Sequence, residues 1–307
     1  VEMRLCMCIT RDTGTAPHAQ PSVRSSGSRG AKAPHVRSRS EINGAYQKQR
    51  APVPDERVPW SVAWPAYAPI EFTHESVAKQ PVWADPVDAS RIAGLRDRLS
   101  YESSPLTLAP NGRPLNPFGR TGTTGRGLLG KWGPNHAADP IVLRARPDGV
   151  FEMVAIKRRD TGQWAIPGGM VDAGEVVSVT LRREFTEEAG ALDDPREQAA
   201  LSSALDVLFG SGGSSVYCGY VDDPRNTDNA WMETAVHAFL LPADLSAKLP
   251  LQSGSDAADV RWLPLDEQLL GGDASALYAD HLRFVMLALR QVGGERVRSP
   301  SAENART

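Results

Sequence analysis

Three patterns predict an α/β chain. From Pro140 onward, short apolar runs rich in β-branched and aromatic residues alternate with turn signals. Within that stretch Val177, Leu181, Phe185 and Ala189 recur every four residues, the spacing of a buried helical stripe. Near the end, Leu282, Val285, Met286 and Leu289 fall at i, i+3, i+4 and i+7, which predicts a closing amphipathic helix.

Taken in order, residues 52–72 carry five prolines and two tryptophans and read as extended chain with edge strands, because proline lacks the ladder donor. Residues 87–100 read as a short helical or irregular connection. Residues 111–136, dense in glycine and proline, read as a long irregular loop that Phe118, Leu128, Leu129 and Trp132 pack down. IVLRAR (141–146) and FEMVAIKRR (151–159) flank Pro147-Asp148-Gly149, a hairpin signal. WAIPGGM (164–170) leads into a helix over Val176–Ala189, with a second helix expected near 195–210. Strands are expected at 214–221, 231–241 and 260–265, then the last helix and a polar tail from Gly293. The expected division is a disordered basic leader or linker (1–50), an N-terminal region packing on the catalytic domain (51–136), that domain (137–292) and a disordered tail (293–307).

Composition narrows the function. No apolar run of the 307 residues approaches the ~18 needed to cross a bilayer, so no membrane insertion of this chain is expected. Cys6, Cys8 and Cys218 form neither a disulfide framework nor a structural zinc pattern, which favours a reducing compartment. Residues 1–50 hold nine Lys/Arg against three Asp/Glu (+6), and the remaining 257 hold 25 against 34 (−9). An acidic body argues against nucleic acid as a partner. The Arg/Ser-rich, acid-poor leader has the composition of an organelle presequence or of an ordinary linker. A start at Val1 in place of Met is what a fragment or a truncated reading frame would show.

The chemistry concentrates in residues 168–190. Asp172 and Glu175 resemble a capping box at the start of the helix. Glu184, Glu187 and Glu188 then project within an arc of roughly 100°. Like charges at that spacing repel, and a hard divalent cation with oxygen ligands, Mg²⁺ above all, would offset the repulsion. Arg183, four residues before Glu187, is placed to orient the cluster. A solvated acidic helix face is the competing reading. Gly168, Gly169 and Gly174 weigh against it, because they mark backbone that approaches something closely or takes positive φ.

Gly169, five residues, Glu175, seven residues, then Arg183-Glu184-Phe185-Thr186-Glu187-Glu188-Ala189-Gly190 fits the pattern G-x5-E-x7-R-E-U-x-E-E-x-G-U. In this the chain resembles the Nudix hydrolases, departing only at the small Ala191. Over about 52–292, RTGTTGRGLLGKWGPNHAADP, AIKRRDTGQWAIPGGMVDAGE and GYVDDPRNTDNAWMET resemble the mitochondrial ADP-ribose pyrophosphatase subfamily. They also resemble the C-terminal Nudix domain of the ADP-ribose-gated melastatin-type TRP channel. That domain has a degraded REFxEE core in vertebrates, whereas this chain keeps it.

The resemblance implies an α/β/α sandwich with a mixed sheet, and metal-dependent hydrolysis of ADP-ribose to AMP and ribose 5-phosphate. It implies Mg²⁺, with Mn²⁺ as a possible substitute, held by Glu184, Glu187 and Glu188. Glu175 and Arg183 support them, and Glu187 or Glu233 is the general base. Asp223 and Arg225 are implied as substrate contacts, with a polar turn as the alternative reading of their loop. Arg120, Thr121 and Arg126 could form an anion nest, or pin the N-terminal region to the catalytic one. Tyr278 resembles an adenosine- or ribose-side residue, or else anchors the last helix. A mitochondrial location, otherwise cytoplasmic, and a monomer unless part of a channel complete the expectation. The alternative function is an ADP-ribose-sensing C-terminal domain of a cation channel, with or without retained hydrolase activity.

Overall fold

The computed structural model describes residues 35–40, 42–43, 48–171, 177–189, 192–210, 212–242, 251–252, 257–271 and 277–298. Two short strands, β1 (Ile42–Asn43) and β2 (Lys48–Gln49), pair with each other, and β3 (Ile70–Thr73) runs parallel to β4 (Thr123–Gly127). The main sheet contains β5 (Gly133–Ala145), β6 (Phe151–Arg158), β7 (Trp164–Ala165), β8 (Gly169–Met170), β9 (Ser214–Tyr220), β10 (Ala230–Leu240) and β11 (Ala257–Pro264). Its order is β11-β6-β5-β10-β9, with β7 added to β6 and β8 to β5. β5 and β10 pair in parallel while the other strand pairs of this sheet run antiparallel, so the sheet is mixed. The helices are α1 (Glu75–Ala78), α2 (Val177–Ala189), α3 (Pro195–Gly210), α4 (Glu267–Leu270) and α5 (His281–Arg298).

Alternation along the central strands supplies both faces of the sheet with apolar side chains. Ile141 and Leu143 of β5, with Met153 and Ala155 of β6, pack against Phe284, Val285 and Ala288 of α5. Val142 and Val154 point the other way, onto Leu181 and Phe185 of α2 and Leu201 and Leu205 of α3. The result is the expected α/β/α sandwich. The Pro147-Asp148-Gly149 hairpin forms, with Gly149 at φ +89° and Asp148 Oδ1 accepting from the Val150 N–H at 3.1 Å.

Four expectations need correction. The first catalytic-domain strand begins at Gly133, not near 141, so the loop expected over 111–136 contains β4 and the start of β5. Pro134 and Pro140 hide that strand in the sequence, yet parallel pairing with β10 carries it through both. In the last helix Met286 is 37% exposed, and Phe284, fully buried, takes its place in the apolar stripe. That helix also passes Gly293 and runs to Arg298, six residues into the expected tail.

The fourth correction concerns the leader. His35, Ser38 and Arg50 are buried against the catalytic region, so the described part of 1–50 packs rather than hangs free. Buried polar side chains explain the docking, which hydropathy alone does not register. Residues 51–132 then wrap the sheet edge through Trp231, Tyr220 and Leu106, with Phe118 stacked on Tyr220 at 4.0 Å between ring centres. Among the described residues no helix is long and apolar enough to cross a membrane.

Candidate active site

A cleft opens where β8, the β9–β10 turn and the start of α5 converge. Asp139, Gly169, Asp223, Arg225, Thr234 and Tyr278 are among the residues that line it. At one end Arg225 grips Asp223 through two parallel contacts, Nε to Oδ1 (2.9 Å) and Nη2 to Oδ2 (2.8 Å). The Arg225 backbone N–H adds a third at 2.8 Å. Burial pushes the Asp223 carboxyl up, but the Arg225 charge, these hydrogen bonds and Arg158 outweigh it, so its pKa lies below the ordinary value. The Tyr278 hydroxyl donates to Asp223 Oδ2 at 3.3 Å, and the Arg158 guanidinium lies 4.2 Å from the Tyr278 ring centre. Two cationic groups and a hydroxyl thus meet at one wall of the cleft.

The other end is the Gly168–Met170 backbone, with α2 directly behind it. Leu181 and Phe185 bury the helix on the sheet, which turns Glu184 toward β8. A Cβ at Gly169 would collide with the Glu184 carboxylate, and one at Gly168 with Asp139. Both glycines therefore serve close approach, as the sequence implied. Arg183 Nη1 bridges Glu184 (2.8 Å) and Glu187 (3.1 Å), while its Nη2 donates to the Met170 carbonyl (3.1 Å). Glu184 is buried and Glu187 exposed. Glu175 lies outside the described residues, as does the side chain of Glu188. Among the described residues no three His, Cys, Asp or Glu side chains make a ready ion cage. The donors of this face are carboxylate and carbonyl oxygens, and the missing Cβ at 169 leaves the Glu184 carboxylate directly against backbone. That chemistry fits a hard divalent cation.

The remaining predicted residues sit elsewhere. The Arg120 guanidinium donates to the carbonyls of Arg57 (2.7 Å), Pro59 (2.8 Å) and Val62 (3.0 Å) and packs on Trp60 and Tyr67. Thr121 donates through its N–H (2.6 Å) and Oγ1 (2.8 Å) to Asp228. Arg126 donates to the carbonyls of Asp85 and Gly130 and lies over Trp132. None of the three lines the cleft. Thr121, through Asp228, makes the contact of the pinning alternative, whereas Arg120 and Arg126 bind carbonyls within the N-terminal region itself.

Glu233 is a further correction. Met232 and Thr234 face the cleft, so the two-residue strand period turns Glu233 to the opposite face. There its carboxylate accepts from Ser100 Oγ (2.6 Å), Trp231 Nε1 (2.8 Å) and the Tyr101 N–H (2.5 Å), holding the N-terminal region. Burial works against ionisation, but these donors and His136 leave its pKa lowered. It is a fully engaged structural carboxylate.

Asp139 was not foreseen. It is buried in the cleft, accepts from Thr234 Oγ1 at 2.6 Å, and is pushed by burial to a pKa of about 6. A lone Asp-Pro before an apolar run carries no signal of this placement. His281 likewise accepts from the Ile166 N–H at 2.9 Å, and burial pulls its pKa down to about 3, which keeps the ring neutral.

A fold with helices on both faces of this mixed sheet and a carboxylate helix set against a β8 glycine corresponds to a NUDIX domain, whose family model matches residues 134–284. The model described as NUDT9-like, N-terminal domain matches residues 53–133, so the two meet at the first residue of β5. The chain is 43% identical over 287 residues to a protein from Rattus norvegicus named ADP-ribose pyrophosphatase, mitochondrial, covering 85% of this chain and 80% of that one. It is 49% identical over 252 residues to the putative nudix hydrolase 6 of Caenorhabditis elegans, covering 78% and 89%. A Nematostella vectensis protein named transient receptor potential cation channel subfamily M member-like 2 is 41% identical over 82% of this chain but only 17% of its own length. The chain belongs to the Nudix hydrolase family, whose members depend on divalent metal ions.

Proposed function

We propose that the chain hydrolyses the pyrophosphate bond of ADP-ribose to AMP and ribose 5-phosphate, with Mg²⁺ or Mn²⁺ as the cation, as an enzyme that acts as a monomer in the mitochondrion. One observation carries the reading: the guanidinium groups of Arg225 and Arg158, each oriented by a carboxylate (Asp223 and Asp160), share a single cleft with the glycine backbone that touches Glu184. A pyrophosphate laid between them meets positive charge at one end and carboxylates at the other. The relative named ADP-ribose pyrophosphatase, mitochondrial, supports the substrate and, with the basic leader of this chain, the compartment.

In this reading Arg225, oriented through its Nε edge by Asp223, offers its remaining N–H groups to phosphate oxygens. Tyr278 and Asp223 offer groups to ribose hydroxyls. Glu184, Glu187 and Glu188 would hold the cation, which when bound neutralises phosphate charge and lowers the pKa of a bound water. Glu175 and Arg183 support that set. Glu187, with Glu233 turned away, is the remaining expected base to take the proton of the attacking water. Net, one water oxygen bonds to phosphorus as the bridging P–O bond breaks. Exclusively oxygen donors favour Mg²⁺ or Mn²⁺ over zinc.

The match to the channel protein supports a second reading, in which the same cleft binds ADP-ribose without turnover. Incubation with a panel of nucleoside diphosphate sugars, with products identified, separates the readings. AMP and ribose 5-phosphate from ADP-ribose are expected. Cleavage of another nucleotide in preference, or binding of ADP-ribose with no product in Mg²⁺, would overturn the proposal.

A further inference from the structure

The segment at Arg37–Ser38 makes contacts that neither fold nor chemistry requires of a leader. The Arg37 and Ser38 backbone N–H groups donate to the two oxygens of Asp222 at 2.9 and 2.8 Å, a nest of successive amides around a carboxylate. Ser38 Oγ donates to Asp222 Oδ1 (2.6 Å), lies 3.1 Å from the Asp223 carbonyl oxygen and accepts from Asn226 Nδ2 (3.1 Å). Arg37 Nη1 donates to Asp280 Oδ1 (2.9 Å), and Asp280 Oδ2 accepts from the Asp222 N–H (3.3 Å). His35 fixes the start of the segment, with Nδ1 2.7 Å from the Tyr220 hydroxyl and Nε2 3.1 Å from the Arg120 carbonyl oxygen.

Two cleft walls are thereby tied to one strap. Asp222 precedes Asp223, and Asp280 lies between Ala279 and His281, all three of these neighbours lining the cleft. Ala279 has φ +45°, a left-handed conformation that a non-glycine residue keeps only where its surroundings hold it. The Asp280 contacts to Arg37 and Asp222 fall at the adjacent position. Neither Arg37 nor Ser38 lines the cleft itself, and Ser38 is fully buried.

We propose that Arg37 and Ser38 are positioning residues: through Asp222 and Asp280 they hold the Asp223–Arg225 and Tyr278–His281 walls at the spacing the substrate needs. The inference rests on the proposed ADP-ribose reading for its kinetic arm only. Loosening the strap leaves the Glu184 end untouched, so affinity should suffer and the chemical step should not.

The test uses the full chain with Ser38→Ala, Asp222→Asn and both together. Each single variant should raise KM for ADP-ribose about tenfold or more, because Ser38→Ala loses one hydrogen bond to a charged group and Asp222→Asn removes the charge that three donors share, with kcat within about twofold. The double variant should match the worse single one, because both remove the same contact. Asp228→Ala, which strips the partner of Thr121 at the other end of the same turn, is the structural control: it should lower Tm with KM unchanged. Amide hydrogen exchange without substrate provides the second arm, with faster exchange at Asp223 and Arg225 in Ser38→Ala than in the parent chain. If the parent chain does not cleave ADP-ribose, the functional reading fails and exchange alone decides the strap. Unchanged exchange at 223–225, or kcat and KM that move only in step with Tm as a purely structural role predicts, would overturn the proposal.

Discussion

Residues 120–126 and residues 168–170 are both glycine-rich, and both have arginines within reach that could serve a phosphate. In the first, every guanidinium turns inward onto carbonyls: Arg120 onto 57, 59 and 62, Arg126 onto 85 and 130. In the second, glycine removes the Cβ that would separate Asp139 and Glu184 from the backbone. The first segment commits its guanidiniums to carbonyls of the N-terminal region and Thr121 to Asp228 of the catalytic one, while the second opens backbone to a cleft. Glycine density by itself therefore says that something comes close, and the partner decides whether it is protein or ligand.

The β9–β10 turn repeats the contrast within eight residues. Asp222 and Asp228 point outward to pin Ser38 and Thr121, whereas Asp223 and Arg225 between them face the cleft. Alternation of direction, not composition, separates the roles.

The contrast is sharpest at Glu184. Glu184→Gln should lower kcat roughly 10²-fold or more while the far-ultraviolet circular dichroism stays unchanged, since preorganised charge is what the site loses. Excess EDTA should stop turnover of the parent chain by the same argument; full activity in the chelator would return the glutamates to an ordinary solvated face. Next in size is Arg225→Ala. It leaves Asp223 buried without its bidentate partner and should raise KM for ADP-ribose at least about tenfold. Lysine at 225 should restore only part of the affinity, because a point charge cannot reproduce the fork.

Arg120→Ala should behave oppositely. Three carbonyls lose a charged donor, so chemical denaturation should show a loss of about 2–3 kcal/mol, while kcat/KM per folded molecule stays near that of the parent. A selective loss of kcat/KM with unchanged stability would put Arg120 back at the substrate. The smallest effect is a pH dependence. Burial raises Asp139 from 3.8 to about 6, so the folded chain holds that proton more tightly than the unfolded one. Stability from this group is present below about pH 4 and is lost as pH rises to about 6. Asp139→Asn removes the loss, and its advantage in urea midpoint should open between those values and level off above them. A gap constant from pH 4 to 7 would show that Asp139 does not titrate in that window.

Much of the catalytic half was legible. Leu181 and Phe185 are buried at the spacing that predicted α2, and the Pro147-Asp148-Gly149 turn lies where the hairpin was expected, because both patterns are local. Met286 was misplaced because Phe284 offers an equally apolar stripe one step around the same helix, and only the facing sheet chooses between them. Glu233 read as a base because acidity is visible in a sequence and strand facing is not visible for a carboxylate flanked by Met232 and Thr234. Ser38 carried no signal at all, since its partners Asp222 and Asn226 lie more than 180 residues away.

By itself the sequence determined the element types from about residue 141 onward, the carboxylate face of α2 and the glycines at 168 and 169, all set by spacing within a few turns or strand steps. Tertiary structure decided which polar side chains meet. It sent Arg120, Thr121, Arg126 and Glu233 to hold the N-terminal region, brought Asp139 into the cleft, and docked Arg37–Ser38 behind Asp223. The physical reason is that a buried polar group must find a partner or bear its desolvation, and across a folded chain that partner is chosen by the approach of distant segments, which no local spacing encodes.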